Sequence, residues 1–419
     1  MTALPRILAV MGSGETAPTM VSTHQRLFAR LPQQSTAVLV ETPYGFQENA
    51  DEISQRTIDY FARNVGRAIT PVGLRTGDGT DDAAVARLQA ADLVFAGPGS
   101  PTYALDRWRG SVFADVVVGK LRTGGIVVFA SAAAVGLGRC ALPVYEIYKV
   151  GQRPHWVDGL DLLAVAGIDA AVIPHFDNAE GGTHDTRFCY LGARRLQQME
   201  RDLDPTTVVI GVDEHTALLL DLDASTLVVE GRGDVTIRRG GTTLRTITAG
   251  TTLSVDAVTH RAVTPAASQP QDHAQHAAAA SVADADARTL GEHVAVATGA
   301  FDAAIAQRSG PAATAAVLDL EAAIADWSAD TTQSDEVDRA RAALRGLIVR
   351  LGTAADHGLV APAERIGPMI DAVVRARTQL RERGDYDLAD RLRAATDAIG
   401  VELRDTADGT TWEMPLNDA

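Results

Sequence analysis

Cysteine is scarce in this chain: 419 residues contain only Cys140 and Cys189. With no Cys-x-x-Cys and no mixed His/Cys ligand spacing, they exclude a disulfide framework and give no structural zinc signature. No apolar run approaches the ~20 residues of a membrane-spanning helix. The opening MTALPRILAVMGSG enters a buried-strand pattern rather than a basic segment followed by a cleavable apolar one, so the expected location is cytoplasmic. Lysine is almost missing, with Lys120 and Lys149 the only two, and the formal net charge is −16. That balance argues against a broad basic surface for nucleic acid, while leaving room for a local basic face. Neither a metal nor a cofactor is expected.

The composition, 46% hydrophobic and 22% charged, suits a chain that buries a sizeable core in two or three domains. From residue 6 to about 220, short apolar runs (RILAVMG, TAVLVETP, DLVFAGPG, GIVVFAS, AAVIPHF, VVIGVDE) alternate with helical patterns. This predicts an α/β domain with a mostly parallel, doubly wound sheet, whose ligand site lies at the carboxyl ends of the strands. Residues 217 to 260 read as a small antiparallel tail punctuated by Gly-rich turns. Residues 264–295 carry Ala, Gln, Pro and Asp bias without large periodic apolar residues, the composition of a linker. The expected division is therefore 1–263 for the α/β domain, 264–295 for the linker and 296–419 for a small α-helical bundle with a terminal hairpin. From 311 onward the chain has twelve arginines, no lysine and twenty carboxylates, a balance of −8.

Three polar residues fall at predicted strand ends: Ser131 at the strand-to-helix corner of IVVFASAAAVGLG, His175 in IPHFDN and Glu214 in GVDEHTAL. A hydroxyl becomes a nucleophile when a base takes its proton, a third group orients that base and backbone N–H groups receive the oxyanion. The first N–H groups of a helix are unpaired and supply such donors. Polar loops follow several other strands, including Glu15-Thr16, the Tyr145–Lys149 stretch and the Asp177–Asp185 stretch. From these, Glu15, Asn178, Lys149 and Arg187 are the candidate substrate-binding residues, the two cations for a substrate carboxylate.

The blocks AGPGSPTYAL, FASAAAVGLG, IPHFDN and GVDEHTAL resemble those of the cyanophycinase and aspartyl dipeptidase family of serine peptidases, over roughly residues 6 to 260. The resemblance implies a fold similar to class I glutamine amidotransferase domains, with Ser131 as nucleophile, His175 as base, Glu214 as its orienting carboxylate, and Gly99 and Ala132 N–H as oxyanion donors. It departs at the family's Gly-x-Ser-Ala-Gly-Ala turn, where Phe129 and Ala133 replace the glycines. Side chains there are expected to widen the turn or shift the oxyanion donors. Two functions follow: a serine hydrolase cleaving an amide in a small acidic, aspartyl-type peptide or related conjugate, or a catalytically degenerate ligand-binding protein. A small peptide or amino-acid conjugate is the expected substrate and a homo-oligomer an expected assembly.

The segment from about 364 to 413, with Asp405-Thr406-Ala407-Asp408-Gly409-Thr410-Thr411-Trp412, is similar to the C-terminal anticodon-binding part of cysteinyl-tRNA synthetases, without their catalytic domain. This implies tRNA as a partner, with Arg377, Arg381 and Arg391 facing phosphates and Trp412 stacking on a base. The alternative is an interaction or packing module whose arginines pair with nearby carboxylates.

Overall fold

The computed structural model describes residues 3–76, 81–181, 184–258, 288–330, 335–358, 362–406 and 409–414. Most of the expected linker lies outside them. The chain divides into two compact units: Met1–Leu290 with Ile324–Val337, and Gly291–Ala323 with Asp338–Ala419.

The first unit contains two sheets. In the larger, the parallel strands are Arg6–Met11, Gly125–Ala130, Leu93–Ala96, Ala37–Val40 and Thr70–Pro71, in that spatial order. Thr216–Asp221, Thr226–Gly231 and Thr252–Ser254 extend its other edge antiparallel. The smaller sheet is ordered Thr242–Thr248, Asp234–Arg239, Val208–Val212, Ala170–Ile173, Cys140–Ala141 and Val157–Asp158. The central strands read as unbroken apolar runs because both faces are covered. In the first strand, Leu8 and Val10 join the core that holds Trp108 and Phe129, while Ile7, Ala9 and Met11 join the one that holds Phe61 and Phe95.

The antiparallel tail forms, but it divides between the sheets. The chain leaves the smaller sheet at Val212, crosses over Asp213–His215 and enters the larger one at Thr216. It returns between Gly231 and Asp234. His215 (φ +52°) and Gly231 (φ +102°) supply the sharp reversals. The first crossing carries Glu214 and lies against the loop after the first strand. A Cβ at Gly12 would stand 2.0 Å from the Asp213 carbonyl oxygen, and one at Gly14 (φ +64°) would stand 2.2 Å from the His215 ring. Glycine is therefore required where that loop meets the crossing.

The second unit draws on the helices Leu290–Ala306, Gly310–Asp326, Glu336–His357, Pro362–Glu382 and Tyr386–Asp397, followed by the hairpin Glu402–Thr406/Gly409–Glu413. Ile370, Val401 and Leu403 form a small core there, with Trp412 and Val374 against it. One stretch from this half of the sequence belongs to the first unit. After the helix Gly310–Asp326 comes the turn Trp327–Ala329, which lies against the helix Ala50–Tyr60. Trp327 is 2% exposed and meets the His215 ring edge-on at 5.4 Å.

Candidate active site

Ser131 and His175, each just past the end of a strand, border one cavity of about 430 Å³. The strand Gly125–Ala130 stops at Ser131, whose φ of +47° turns the chain into the short helix Ser131–Val135. A left-handed serine is strained, and the fold holds it so that the hydroxyl faces the cavity. His175 follows the strand Ala170–Ile173 and is also left-handed, at φ +48°. Beneath it run three consecutive left-handed residues, Phe188, Cys189 and Tyr190. Cys189 N–H donates to the His175 carbonyl at 3.0 Å and Phe188 N–H to that of Phe176 at 2.9 Å. This turn fixes the backbone that aims the imidazole.

The structure brings the three residues into one hydrogen-bonded line. Ser131 Oγ is 3.0 Å from His175 Nε2, and His175 Nδ1 is 2.7 Å from Glu214 Oε1. With Nδ1–H donating to the carboxylate, Nε2 is left to accept the serine O–H. Two further groups hold Glu214. Asn178 Nδ2 donates to Oε1 at 3.1 Å, and the Asp177 carboxylate accepts the Glu214 backbone N–H at 2.8 Å. Burial opposes protonation of His175, but the hydrogen bond and charge of Glu214, joined by Glu15 and Glu180, outweigh it and raise the imidazole above its ordinary 6.5. Burial likewise opposes ionisation of Glu214, and the His175 and Asn178 contacts overcome it and lower the carboxyl. Such a line can take a proton from a hydroxyl and return it to a leaving group.

The side chains that replace the two glycines are both buried. Phe129 points into the core, stacked on Phe113 at 6.2 Å and tilted against Trp108 at 5.4 Å. The methyl of Ala133 is buried, and its N–H donates to the Gly97 carbonyl at 3.2 Å. Ser100 N–H is given to the Pro43 carbonyl at 2.7 Å. With these neighbours engaged, Gly99 and Ala132 are the candidate oxyanion donors at the corner. Gly99 stands at φ +136°, and a Cβ there would lie 2.1 Å from the Pro43 carbonyl oxygen.

Of the candidate substrate-binding residues, Glu15 and Lys149 border the cavity. Lys149 Nζ sits 5.0 Å from the centre of the Tyr145 ring. Asn178 is 1% exposed and turned to Glu214, which makes it a support for the carboxylate rather than a contact for substrate. Arg187, by contrast, does not border the cavity: its guanidinium forks onto Asp185 at 2.8 and 2.9 Å. Two residues apart on one loop, these groups satisfy each other locally. Sequence reasoning missed Asp330, Arg56 and Tyr190 in the cavity wall. Glu180 accepts a 2.7 Å hydrogen bond from Tyr190 Oη, and among the described residues no three His, Cys, Asp or Glu side chains are grouped to hold a metal.

The candidate tRNA contacts fare differently. Arg377 is 2% exposed and forks onto Asp405 at 2.7 and 2.9 Å, with Thr410 as a third partner at 3.2 Å. Arg381 joins the same carboxylate at 2.7 Å. Trp412 is half-buried, packs on Gly367 and donates its indole N–H to Asp371 at 2.8 Å. Arg377 and Trp412 thus fasten the hairpin to the helix Pro362–Glu382, which corrects their assignment to phosphate and base. Arg391 is exposed, as are Arg375 and Arg383.

No protein-family model matches the chain. A peptidase from an acI-B1 Actinobacterium aligns structurally over 60% of this chain and 98% of its own, at 22% identity and a TM-score of 0.49. A putative Peptidase E protein from Listeria monocytogenes EGD-e aligns over 54% of this chain and 98% of its own, at 13% identity and a TM-score of 0.39. In sequence, the chain is similar to several proteins described as cysteine–tRNA ligases, among them those of Salinibacter ruber and Haloarcula marismortui. That of Salinibacter ruber is 34% identical over 163 residues, 34% of this chain and 30% of the relative. That of Haloarcula marismortui is 46% identical over 48 residues, 12% of this chain and 10% of the relative. The chain thus spans less than a third of the length of either relative. Among the described residues no helix is long and apolar enough to cross a membrane.

Proposed function

We propose that the α/β unit is a serine hydrolase that cleaves an amide bond in a small acidic, aspartyl-type peptide or related conjugate. The observation that carries this reading is the continuous line from Ser131 Oγ through the His175 imidazole to the Glu214 carboxylate, at 3.0 and 2.7 Å. As Oγ attacks the carbonyl carbon, its proton passes to His175 Nε2 and the carbonyl electrons move to the oxygen, which Gly99 and Ala132 N–H receive. The tetrahedral centre collapses, the C–N bond breaks and His175 gives the proton to the departing amine. Water, deprotonated by the same imidazole, then cleaves the Ser131 ester and releases the acid. Lys149 supplies the cation for a substrate carboxylate.

The test is labelling of the full chain with a fluorophosphonate probe, read by intact mass. A single adduct that disappears in Ser131→Ala and collapses in His175→Ala supports the nucleophile. A wild-type chain without an adduct that also leaves aspartyl dipeptides intact sinks the hydrolase and favours the ligand-binding reading.

The similarity to cysteine–tRNA ligases favours a second role, tRNA or protein binding by the helical unit. With Arg377 and Arg381 committed to Asp405, contacts to phosphate fall to Arg375, Arg383 and Arg391. A gel shift weakening with salt in proportion to the phosphates engaged supports tRNA binding, and no shift at low salt ends it.

A further inference from the structure

The nucleophile and its base belong to different sheets. Ser131 follows a strand of the larger sheet and His175 a strand of the smaller, so the 3.0 Å between them depends on how the two sheets are held at that rim. Asp177 and Asn178 tie Glu214 to the loop that carries His175. The next residue, His215, ties the same crossing to the larger sheet. Its N–H donates to the Ser13 carbonyl at 3.1 Å, and its Nδ1 is 2.9 Å from the hydroxyl of buried Thr19. The ring rests on Gly14, where there is no room for a Cβ. That loop continues the strand Arg6–Met11, which pairs with the serine's strand as far as Met11 opposite Ala130.

Against the His215 ring lies the indole of Trp327, edge-on, with 76° between the planes and 5.4 Å between the centres, a favoured geometry for two rings. Trp327 comes from the turn after the helix Gly310–Asp326. Asp326 and Ser328 on either side of it are exposed. A second cavity, of about 390 Å³, lies between them and Arg56, Asp59 and Tyr60 of the helix Ala50–Tyr60. The turn therefore packs loosely beside Trp327, and its buried contact is concentrated in an indole set on the residue that bridges the crossing and the first loop. Close-packed side chains transmit a displacement to their neighbours.

We propose that Trp327 is a positioning residue for hydrolysis: by closing the seat of the His215 ring it keeps Ser131 in register with His175, so that a turn from the far half of the sequence governs proton transfer from the nucleophile. The inference rests on the hydrolase reading. A misplacement of about 1 Å between reacting groups costs on the order of 10²-fold in rate, whereas His175 and Glu214, held by Asp177 and Asn178, stay together. Its signature is a slower reaction with an unmoved pH midpoint.

The test is the rate at which Ser131 reacts in the full chain across pH, read as fluorophosphonate labelling and as turnover of aspartyl dipeptides, with melting temperatures alongside. Trp327→Leu is expected to slow the reaction by about tenfold or more without moving its midpoint, and Trp327→Phe, which restores an aromatic edge, to stay within about threefold of wild type. His215→Asn removes the ring but keeps a residue that accepts the left-handed backbone, and is expected to match the rate of Trp327→Leu. In the double variant the losses are expected to overlap, since both remove one contact. A folded Trp327→Leu chain at the wild-type rate, a midpoint that moves with it, losses that multiply, or a Phe variant as slow as the Leu variant overturns the proposal and leaves the hydrolase standing. If Trp327→Leu does not fold, His215→Asn decides: the wild-type rate overturns the proposal, and a loss of about tenfold supports it. A wild type that neither takes the adduct nor cleaves a dipeptide removes the hydrolase and the proposal together.

Discussion

The two units treat their polar side chains in opposite ways. In the α/β unit, side chains from separate strand ends and loops turn toward a common space, and Ser131, His175 and Glu214 leave the hydroxyl at its edge. In the helical unit, Arg377, Arg381, Thr410 and Asp405 turn toward one another, and Arg375, Arg383 and Arg391 are exposed. The first arrangement retains strain in left-handed Ser131 and His175, and the second shares the one Asp405 carboxylate among Arg377, Arg381 and Thr410. Where unfavourable local structure is tolerated, chemistry is the expected reason; where charged side chains close on one another, the residues are holding the fold.

The comparison is broken most severely at the serine. Ser131→Ala is expected to lower kcat by about 10⁴-fold or more with little change in melting temperature, measured on any aspartyl dipeptide the wild type cleaves. Gly99→Ala, which forces a methyl against the Pro43 carbonyl and displaces an oxyanion donor, is expected to cost about 10²- to 10³-fold in kcat. Asn178→Ala leaves the three-residue line intact but frees one side of Glu214, so a loss of about tenfold in kcat is expected with KM nearly constant. In the helical unit, Arg377→Met is expected to reduce stability by about 2 kcal/mol, discounted from a fully buried pair because Asp405 is partly exposed, without altering hydrolysis. Thermal unfolding monitored beside activity separates the two effects.

The mildest probe is pH. The imidazole must be neutral to accept the serine proton, and its protonated form is favoured by Glu214, Glu15 and Glu180. kcat/KM is therefore expected to fall on acidification with a midpoint above 6.5, and to move toward lower pH when Glu180→Gln removes one of those charges. A midpoint unmoved by that substitution would show that Glu180 does not act on the imidazole.

Much of this was legible before the structure. Parallel strands covered on both faces announce themselves as apolar runs, and the residue just past each run sits on the ligand-binding rim, which is why Ser131, His175 and Glu214 stood out. Direction was not legible. Arg187 and Lys149 look alike on paper, yet Arg187 has Asp185 two residues away and closes on it. Asn178 neighbours the base in sequence and serves the third residue instead. Phe129 suggested a widened turn, but the alternation of a strand sends residue 129 to the face opposite its neighbours, into the Phe113 layer. Asp330 carried no signal, because it follows a helix far along the chain and acquires meaning only from the place to which Trp327 brings it.

That return of residues 324–337 to the first unit sets an order on biosynthesis. A ribosome that has released the last strand of the α/β sheet has not yet made Trp327, so the neighbour of His215 arrives only after two more helices have been translated. The nascent unit waits for its final wall, and a gene fragment ending in the 264–295 region encodes a sheet lacking it.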